Sequence, residues 1–426
     1  MEAFQITGSN GARTLMGKIS VSGCKNAVLP ALAAALIFDT PVAFTNVPAL
    51  ADVDRVAEAF TELGALVVRT KHRMTIDPRG ICTGTLSSKQ AGRMRASVLF
   101  IGPLLARLKE TTFPHPGGCV IGERPIDLFL SGFQKMGATV RTHSHSYHLS
   151  AKNGLHGARI VFPIASVTAT ETFLTTALVA RGTTVLENAA LEPEIAHLAR
   201  FLVRAGARIE GIGTPTLTIH GTGGLLKKKS LTYITPPDRI EAGSYLILAA
   251  LAGKDVTVGP CPIDELSALF ERMDALGVKY AIRGKQVRVR AGARAYRGIS
   301  IKTHEYPGFP TDLQAPMAVL MTQADGASRI FETIFEGRLG YADDLKKMGA
   351  KITVWSAREA TIEGKTRLRG KELYGPDIRA GLAYLMAASI AKGTSLIHNA
   401  HLIDRGYERI EHKLAGIGVN IERLDA

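Results

Sequence analysis

The sequence is poor in aromatic residues: they make up 6% of 426, with a single tryptophan, Trp355. Proteins that bind single-stranded nucleic acid stack the bases on aromatic side chains set among lysines and arginines. No run of that kind occurs here. A basic nucleic-acid-binding repeat protein, the reading that a net charge of +14 invites, is therefore disfavoured, and no nucleic-acid partner is expected. Trp355 itself carries no functional signal. Cysteine is scarce too. Cys24, Cys82, Cys119 and Cys261 show no CxxC spacing, which argues against a zinc ribbon or a disulfide framework and points to a reducing compartment. Long apolar runs are missing. The greasiest stretches carry Pro or Gly and last about a dozen residues, too short for a bilayer, so no membrane partner is expected. The opening Met-Glu-Ala-Phe-Gln has no basic segment followed by an apolar one, so no signal peptide is expected and the expected location is cytoplasmic. Acidic residues are in the minority, 38 against 52 lysines and arginines. That excess favours anionic partners such as phosphorylated metabolites.

What the chain does have is repetition. A helix end followed by a strand recurs as Leu63-Gly64-Ala65, Met136-Gly137-Ala138, Ala205-Gly206-Ala207, Leu276-Gly277-Val278, Met348-Gly349-Ala350 and Ile417-Gly418-Val419. The glycines stand roughly 70 residues apart, a supersecondary period longer than that of a solenoid. Each is placed as the left-handed residue that ends a helix. Apolar helices keep the same beat, over 25–38, 95–108, 168–180, 238–252, 312–321 and 377–391. A helix that is apolar on every face belongs inside a domain. The stretch 52–63 has instead a single apolar stripe, Val53, Val56, Ala57, Phe60 and Leu63, and reads as a surface helix. The expected fold class is α/β, with two similar domains of three units each. Every unit contributes a buried central helix surrounded by sheets and surface helices. The first domain is expected over 22–230 and the second over 1–21 plus 231–426, with 221–230 as the crossover.

The buried helices carry charge at their N-terminal tips: Lys25 beside Asn26, Arg95, Glu171, Asp238, Arg239, Asp312, Asp377 and Arg379. Buried charges need partners. Convergence of the tips on an interdomain cleft would supply them, and helix N-termini favour anions; salt bridging without chemistry is the alternative. One segment departs from the repeat. In 115–127, glycines and prolines surround Cys119, with Arg124 five residues on, which reads as a mobile loop carrying a thiol. The run His143-Ser144-His145-Ser146-Tyr147-His148 puts His143 and His145 on one strand face. A solvated edge strand is the reading preferred there over a metal site.

Taken in order, these segments resemble the UDP-N-acetylglucosamine 1-carboxyvinyltransferases, enolpyruvyl transferases of peptidoglycan precursor synthesis. The resemblance spans the chain and rests on Ser22 to Pro30, Met94-Arg95-Ala96-Ser97, Pro116-Gly117-Gly118-Cys119 with Arg124-Pro125, and Glu192-Pro193-Glu194. It continues through Pro237-Asp238-Arg239, Phe309-Pro310-Thr311-Asp312, Asp377-Ile378-Arg379 and Asp404-Arg405-Gly406-Tyr407-Glu408. It implies an inside-out α/β barrel and transfer of the enolpyruvyl group of phosphoenolpyruvate to the 3′-hydroxyl of UDP-N-acetylglucosamine, releasing phosphate. It further implies Cys119 as acid and fosfomycin target, Asp312 as base and Lys25 as a catalytic cation. Lys25, Asn26, Arg95, Arg124 and Arg405 would bind phosphoenolpyruvate. Asn26, Arg95, Arg124, Pro125, Ile126, Asp127, Ser166, Val167, Asp312 and Ile334 would bind the UDP-sugar. Asp238, Arg338, Asp377 and Arg379 would line the cleft and its closing contacts. No cofactor and no metal is implied, and the expected state is a monomer or weak homo-oligomer. Cys24 stands where the family commonly has Ala, and Thr168 where it commonly has Gly. The shikimate-type transferase shares the fold, but it would want Ser after the first Lys and no loop thiol, whereas this chain has Lys25-Asn26 and Cys119.

Overall fold

The computed structural model describes residues 2–88, 92, 95–115, 126–290 and 295–424. They divide into two units, one of Met1–Ser22 with Pro237–Ala426 and one of the described residues within 23–236.

In the first of these units three apolar helices pack pairwise against one another: α4 (Arg239–Ala252), α5 (Gln314–Met321) and α6 (Ile378–Ile390). Every residue of α4 is buried. Such a helix has no face to give to water, and each Leu or Ile it buries is worth roughly 1.5–3 kcal/mol. In the other unit the same places are taken by α1 (Lys25–Ala33), α2 (Ile101–Leu108) and α3 (Val167–Val179). Two of these are shorter than the sequence suggests. α1 tightens into a 3-10 turn over Ala34–Ile37, and α2 is preceded by another over Arg95–Phe100. α2 and α3 approach closely at Gly102, where a Cβ would stand 1.9 Å from Thr176 Oγ1.

Each central helix is followed by a sheet of one pattern. Around Val42–Thr45, the strand Leu231–Ile234 runs parallel on one side, Arg73–Asp77 antiparallel on the other, and Leu66–Thr70 lies beyond it. The same order recurs around Arg181–Glu187, Gly253–Gly259, Gly326–Phe331 and Thr394–His398. In the sheet on Glu110–Pro114 the parallel edge shrinks to a single bridge, Thr85 with Thr112. The six glycines singled out from the repeat, Gly64, Gly137, Gly206, Gly277, Gly349 and Gly418, all have φ between +87° and +104°. A side chain is strained in that region, and at these six positions a glycine carries the chain from a surface helix toward the strand that follows.

The pattern also places the ends of the units. Leu231–Ile234, expected in the second domain, pairs with Val42–Thr45 and so completes the first repeat of its own unit. The crossover therefore falls between Pro236 and Pro237, not at Ser230, and Ser22 goes with the other unit. There the N-terminal strands fill the gaps: Leu15–Ser20 is the parallel edge beside Gly253–Gly259, and Ala3–Thr7 lies between Thr394–His398 and Asn420–Leu424. His143 and His145 sit in the turn between Thr139–Thr142 and Ser146–Ser150 rather than on a strand. His148 is on the strand, its Nδ1 3.2 Å from Thr112 Oγ1. Among the described residues no helix is long and apolar enough to cross a membrane.

Candidate active site

Asp312 stands in a 3-10 turn, Thr311–Leu313, that leads into α5. Arg338 donates from Nη2 to its Oδ1, and Arg379 donates from Nη2 to its Oδ2 at 2.9 Å. Both guanidinium groups are nearly buried, while 27% of the Asp312 side chain remains open to solvent. Burial disfavours the charged carboxylate, but Arg379 and Arg338 outweigh it and hold the carboxyl well below its ordinary value. Arg379 is fixed in turn. Its Nη1 donates to the Tyr407 hydroxyl at 2.9 Å, and that hydroxyl is 3.0 Å from Ser244 Oγ. The resemblance put Asp312 among the catalytic residues and Arg338 and Arg379 among the closing contacts; the fold brings both guanidinium groups onto the Asp312 carboxylate.

The other tips in this unit are helix caps. Asp238 accepts from the amides of Ile240 and Glu241 at 2.8 and 3.0 Å, and Asp377 accepts from Arg379 and Ala380 at 2.7 and 3.2 Å. A carboxylate at such a position satisfies amides that have no partner within the helix. Arg239 lies over the Tyr306 ring at 5.8 Å. Arg405 is partly exposed between the helices Ala400–Ile403 and Ile410–Ala415. The Ile334 side chain is partly exposed, with its amide on Glu332 Oε1 at 2.8 Å.

In the other unit, Lys25 opens α1 and pairs through Nζ with Asp52 Oδ2 at 2.8 Å; Arg55 reaches the second oxygen of Asp52 at 3.0 Å. Cys24, at the N-cap, contributes no side-chain cap. Its thiol is buried and points at Glu194 Oε1, 3.8 Å away. Near it, Glu171 is buried on α3. Burial, with Glu194 and Glu192 close by, pushes its carboxyl well above the ordinary 4.5. Asn26 and Arg95 are partly exposed at the starts of α1 and of the turn before α2. Ser166 caps α3, accepting from the Ala169 amide at 3.3 Å, and Val167 follows it, partly exposed. Ile126 is buried, and Asp127 is exposed in the first turn of Asp127–Lys135. Cys119, Arg124 and Pro125 lie outside the described residues.

Two buried carboxylates were given no role by the sequence, although Glu241 lies in the segment 237–241 that carries the family resemblance. Glu332 is fully buried and accepts four hydrogen bonds: from the Ile334 and Phe335 amides at 2.8 and 3.0 Å, from Thr311 Oγ1 at 2.9 Å and from Gln314 Nε2 at 3.3 Å. Glu241, on α4, accepts from Lys413 Nζ and Tyr245 at 2.7 and 2.8 Å and from the Ser22 amide at 2.6 Å. Neither forms part of a repeated motif. The available hint was charge inside an otherwise apolar segment.

Comparison with known proteins supplies the class. Residues 9–414 match the family described as EPSP synthase (3-phosphoshikimate 1-carboxyvinyltransferase). The fold matches the enolpyruvyl transferase NikO from Streptomyces tendae, with TM-score 0.89, 24% identity and coverage of 100% of this chain and 99% of that one. It also matches EPSP synthase from Acinetobacter baumannii, with TM-score 0.75, 19% identity and full coverage of both (100% and 100%). The protein is thus a carboxyvinyl transferase by fold and family. Its sequence relatives are narrower in kind. The UDP-N-acetylglucosamine 1-carboxyvinyltransferase of Koribacter versatilis is 43% identical over 428 residues, covering 100% of this chain and 97% of the relative. That of Trichlorobacter lovleyi is 43% identical over 416 residues, covering 97% and 98%. The chain belongs to the UDP-N-acetylglucosamine 1-carboxyvinyltransferase family of enzymes.

Proposed function

We propose that this enzyme transfers the enolpyruvyl group of phosphoenolpyruvate to the 3′-hydroxyl of UDP-N-acetylglucosamine, releasing phosphate, as the first committed step of peptidoglycan precursor synthesis in the cytoplasm. The observation that carries the assignment of roles is the carboxylate of Asp312 gripped by Arg338 and Arg379 at a helix tip. The proposed reaction adds a proton to C3 of phosphoenolpyruvate and the sugar oxygen to C2. It then expels phosphate as C3 loses a proton. A base is needed at the sugar hydroxyl and an acid at the methylene. Asp312 is the proposed base and Cys119 the proposed acid.

An aspartate between two arginines is too weak a base to take a proton from an alcohol. The substrates carry the remedy. Phosphate and carboxylate groups compete for guanidinium forks, and drawing Arg338 or Arg379 toward a bound anion raises the proton affinity of Asp312 when the sugar is in place. Lys25, Arg95, Arg124 and Arg405 are the proposed cations for phosphoenolpyruvate. Asn26, Ile334 and the segments around Ile126 and Ser166 are proposed for the UDP-sugar. Because Ser166 Oγ accepts a bond from Ala169 at the start of α3, its part in holding uridine falls to its backbone or to its remaining hydrogen-bonding capacity.

The test is phosphate release from phosphoenolpyruvate. Release is expected only with UDP-N-acetylglucosamine present and is expected to stop on treatment with fosfomycin. Equal turnover with shikimate 3-phosphate would move the protein to the other branch of the fold.

A further inference from the structure

We infer that Glu332 is a positioning residue that sets the geometry of Asp312 and Arg338 while touching neither substrate. The inference rests on the reading of Asp312 given above.

Three segments meet at its carboxylate. Oε2 takes the Thr311 hydroxyl and the Gln314 amide, which flank Asp312 on either side in the sequence. Oε1 takes the backbone amides of Ile334 and Phe335, the start of the segment that runs into Arg338. The residue itself is tied to a third segment: its amide donates to Arg358 O at 2.7 Å, and its carbonyl accepts from Arg358 Nη1 at 3.3 Å. Its relative exposure is 0%, which leaves no room for water to replace any of these donors. A buried carboxylate accepting several N–H and O–H bonds is held in one orientation, and what it holds is held with it. One carboxylate therefore joins the turn that carries the base to the loop that carries one of its two arginines. Arg338 lies over the Phe335 ring at 5.6 Å, and its amide donates to Phe335 O at 3.2 Å, so the position of residue 335 passes directly to the guanidinium.

The chemistry of the site gives this linkage a consequence. If Arg338 must leave Asp312 for a substrate anion, its travel has to be small and repeatable. A loop pinned at 334 and 335 leaves the guanidinium to move on its own side-chain torsions from a fixed root. Reactions of this kind lose about a hundredfold in rate for a misplacement of about 1 Å. Gln314 Oε1 is buried without a hydrogen-bond partner, so the amide of Gln314 can turn over and meet a donor placed at Oε2. Glu332→Gln is therefore a mild variant. It keeps the two backbone amides on its oxygen and loses the charge and the Thr311 donation in its present sense. Glu332→Asp keeps the charge and shortens the reach.

The experiment measures phosphate release and thermal unfolding of the full chain for Glu332→Gln, Glu332→Asp and Thr311→Val. Glu332→Asp is expected to lose kcat by tenfold or more, with the KM for phosphoenolpyruvate within threefold and the unfolding midpoint within a few degrees of the parent. Glu332→Gln is expected to lose less, and Thr311→Val less again. The effects of Glu332→Gln and Thr311→Val are expected to be sub-additive when combined, because both act through one bond. A folded Glu332→Asp with kcat within twofold of the parent would overturn the inference. So would a loss of activity that follows unfolding alone. If Glu332→Asp fails to fold, Thr311→Val decides on the same terms: an unchanged kcat overturns the inference. Failure of the functional reading looks different, since the parent enzyme would then release no phosphate with UDP-N-acetylglucosamine, or Asp312→Ala would remain active.

Discussion

Asp312 and Glu171 are both carboxylates near the tips of central helices, and they are pushed in opposite directions. Asp312 has a guanidinium on each oxygen and is held ionised. Glu171 is buried among carboxylates, Glu194 and Glu192, and its carboxyl is pushed well above the ordinary range. Burial acts on both in the same sense, so the sign is decided by the neighbours. The repeat places an acid at a helix tip in both units, but its protonation is set by which residues the fold places around it. One carboxyl is held toward its charged form, the other is pushed toward its neutral form.

The largest break in this contrast is expected from Asp312→Ala. It removes the proposed base and leaves Arg338 and Arg379 facing each other. Turnover should fall by about 10³-fold or more, at the upper end of what a general base supplies, while the protein still folds; near-normal phosphate release would take Asp312 out of the mechanism. Next is Lys25→Ala. It removes a charge-assisted hydrogen bond of about 1.5–3 kcal/mol, so kcat/KM for phosphoenolpyruvate should drop roughly ten- to hundredfold. A change confined to stability would reduce Lys25 to a partner of Asp52.

Glu171→Gln sharpens the other half of the comparison. With a raised pKa in the folded state, the parent keeps its proton where the unfolded chain has lost it. Stability is therefore fullest below about 4.5, the unfolded value, and declines as pH rises through the window up to the raised folded value. The amide cannot ionise. Glu171→Gln should unfold at a higher temperature than the parent at pH 8, and the gain should shrink toward pH 4.5. A gain independent of pH would mean that Glu171 is not buried neutral. The smallest effect is expected from Cys24→Ala. The buried thiol is a small apolar group that approaches Glu194 Oε1 at 3.8 Å, and its replacement by Ala should shift stability by about 1 kcal/mol or less. Denaturant midpoints for the pair of proteins would reveal a larger role.

Much of the architecture was legible because it repeats. The glycines at 64, 137, 206, 277, 349 and 418 were readable as helix ends because only glycine adopts their backbone angles without strain. The buried helices were readable because a segment without a polar face has nowhere else to go. The crossover was placed too early because Leu231–Ile234 is short and its partner, Val42–Thr45, lies far away in sequence; parallel pairing leaves no local mark. The helix tips were found as a set, but their roles were mixed. Asp238, Asp377 and Ser166 cap their helices. Nothing in the spacing separated these from Asp312, since a cap and the proposed base use the same residue types at the same helix end.

By itself, then, the sequence determined the six-fold period, the burial of the central helices and the membership of an enolpyruvyl transferase family, because periodicity, apolar faces and ordered motifs are properties of the chain. Tertiary structure alone decided that Asp312 meets Arg338 and Arg379, that Glu171 meets other acids, and that Glu332 gathers Thr311, Gln314, Ile334 and Phe335. Those outcomes depend on contacts between residues distant along the chain, and electrostatic energy at short range is set by distance and burial, not by order in the sequence.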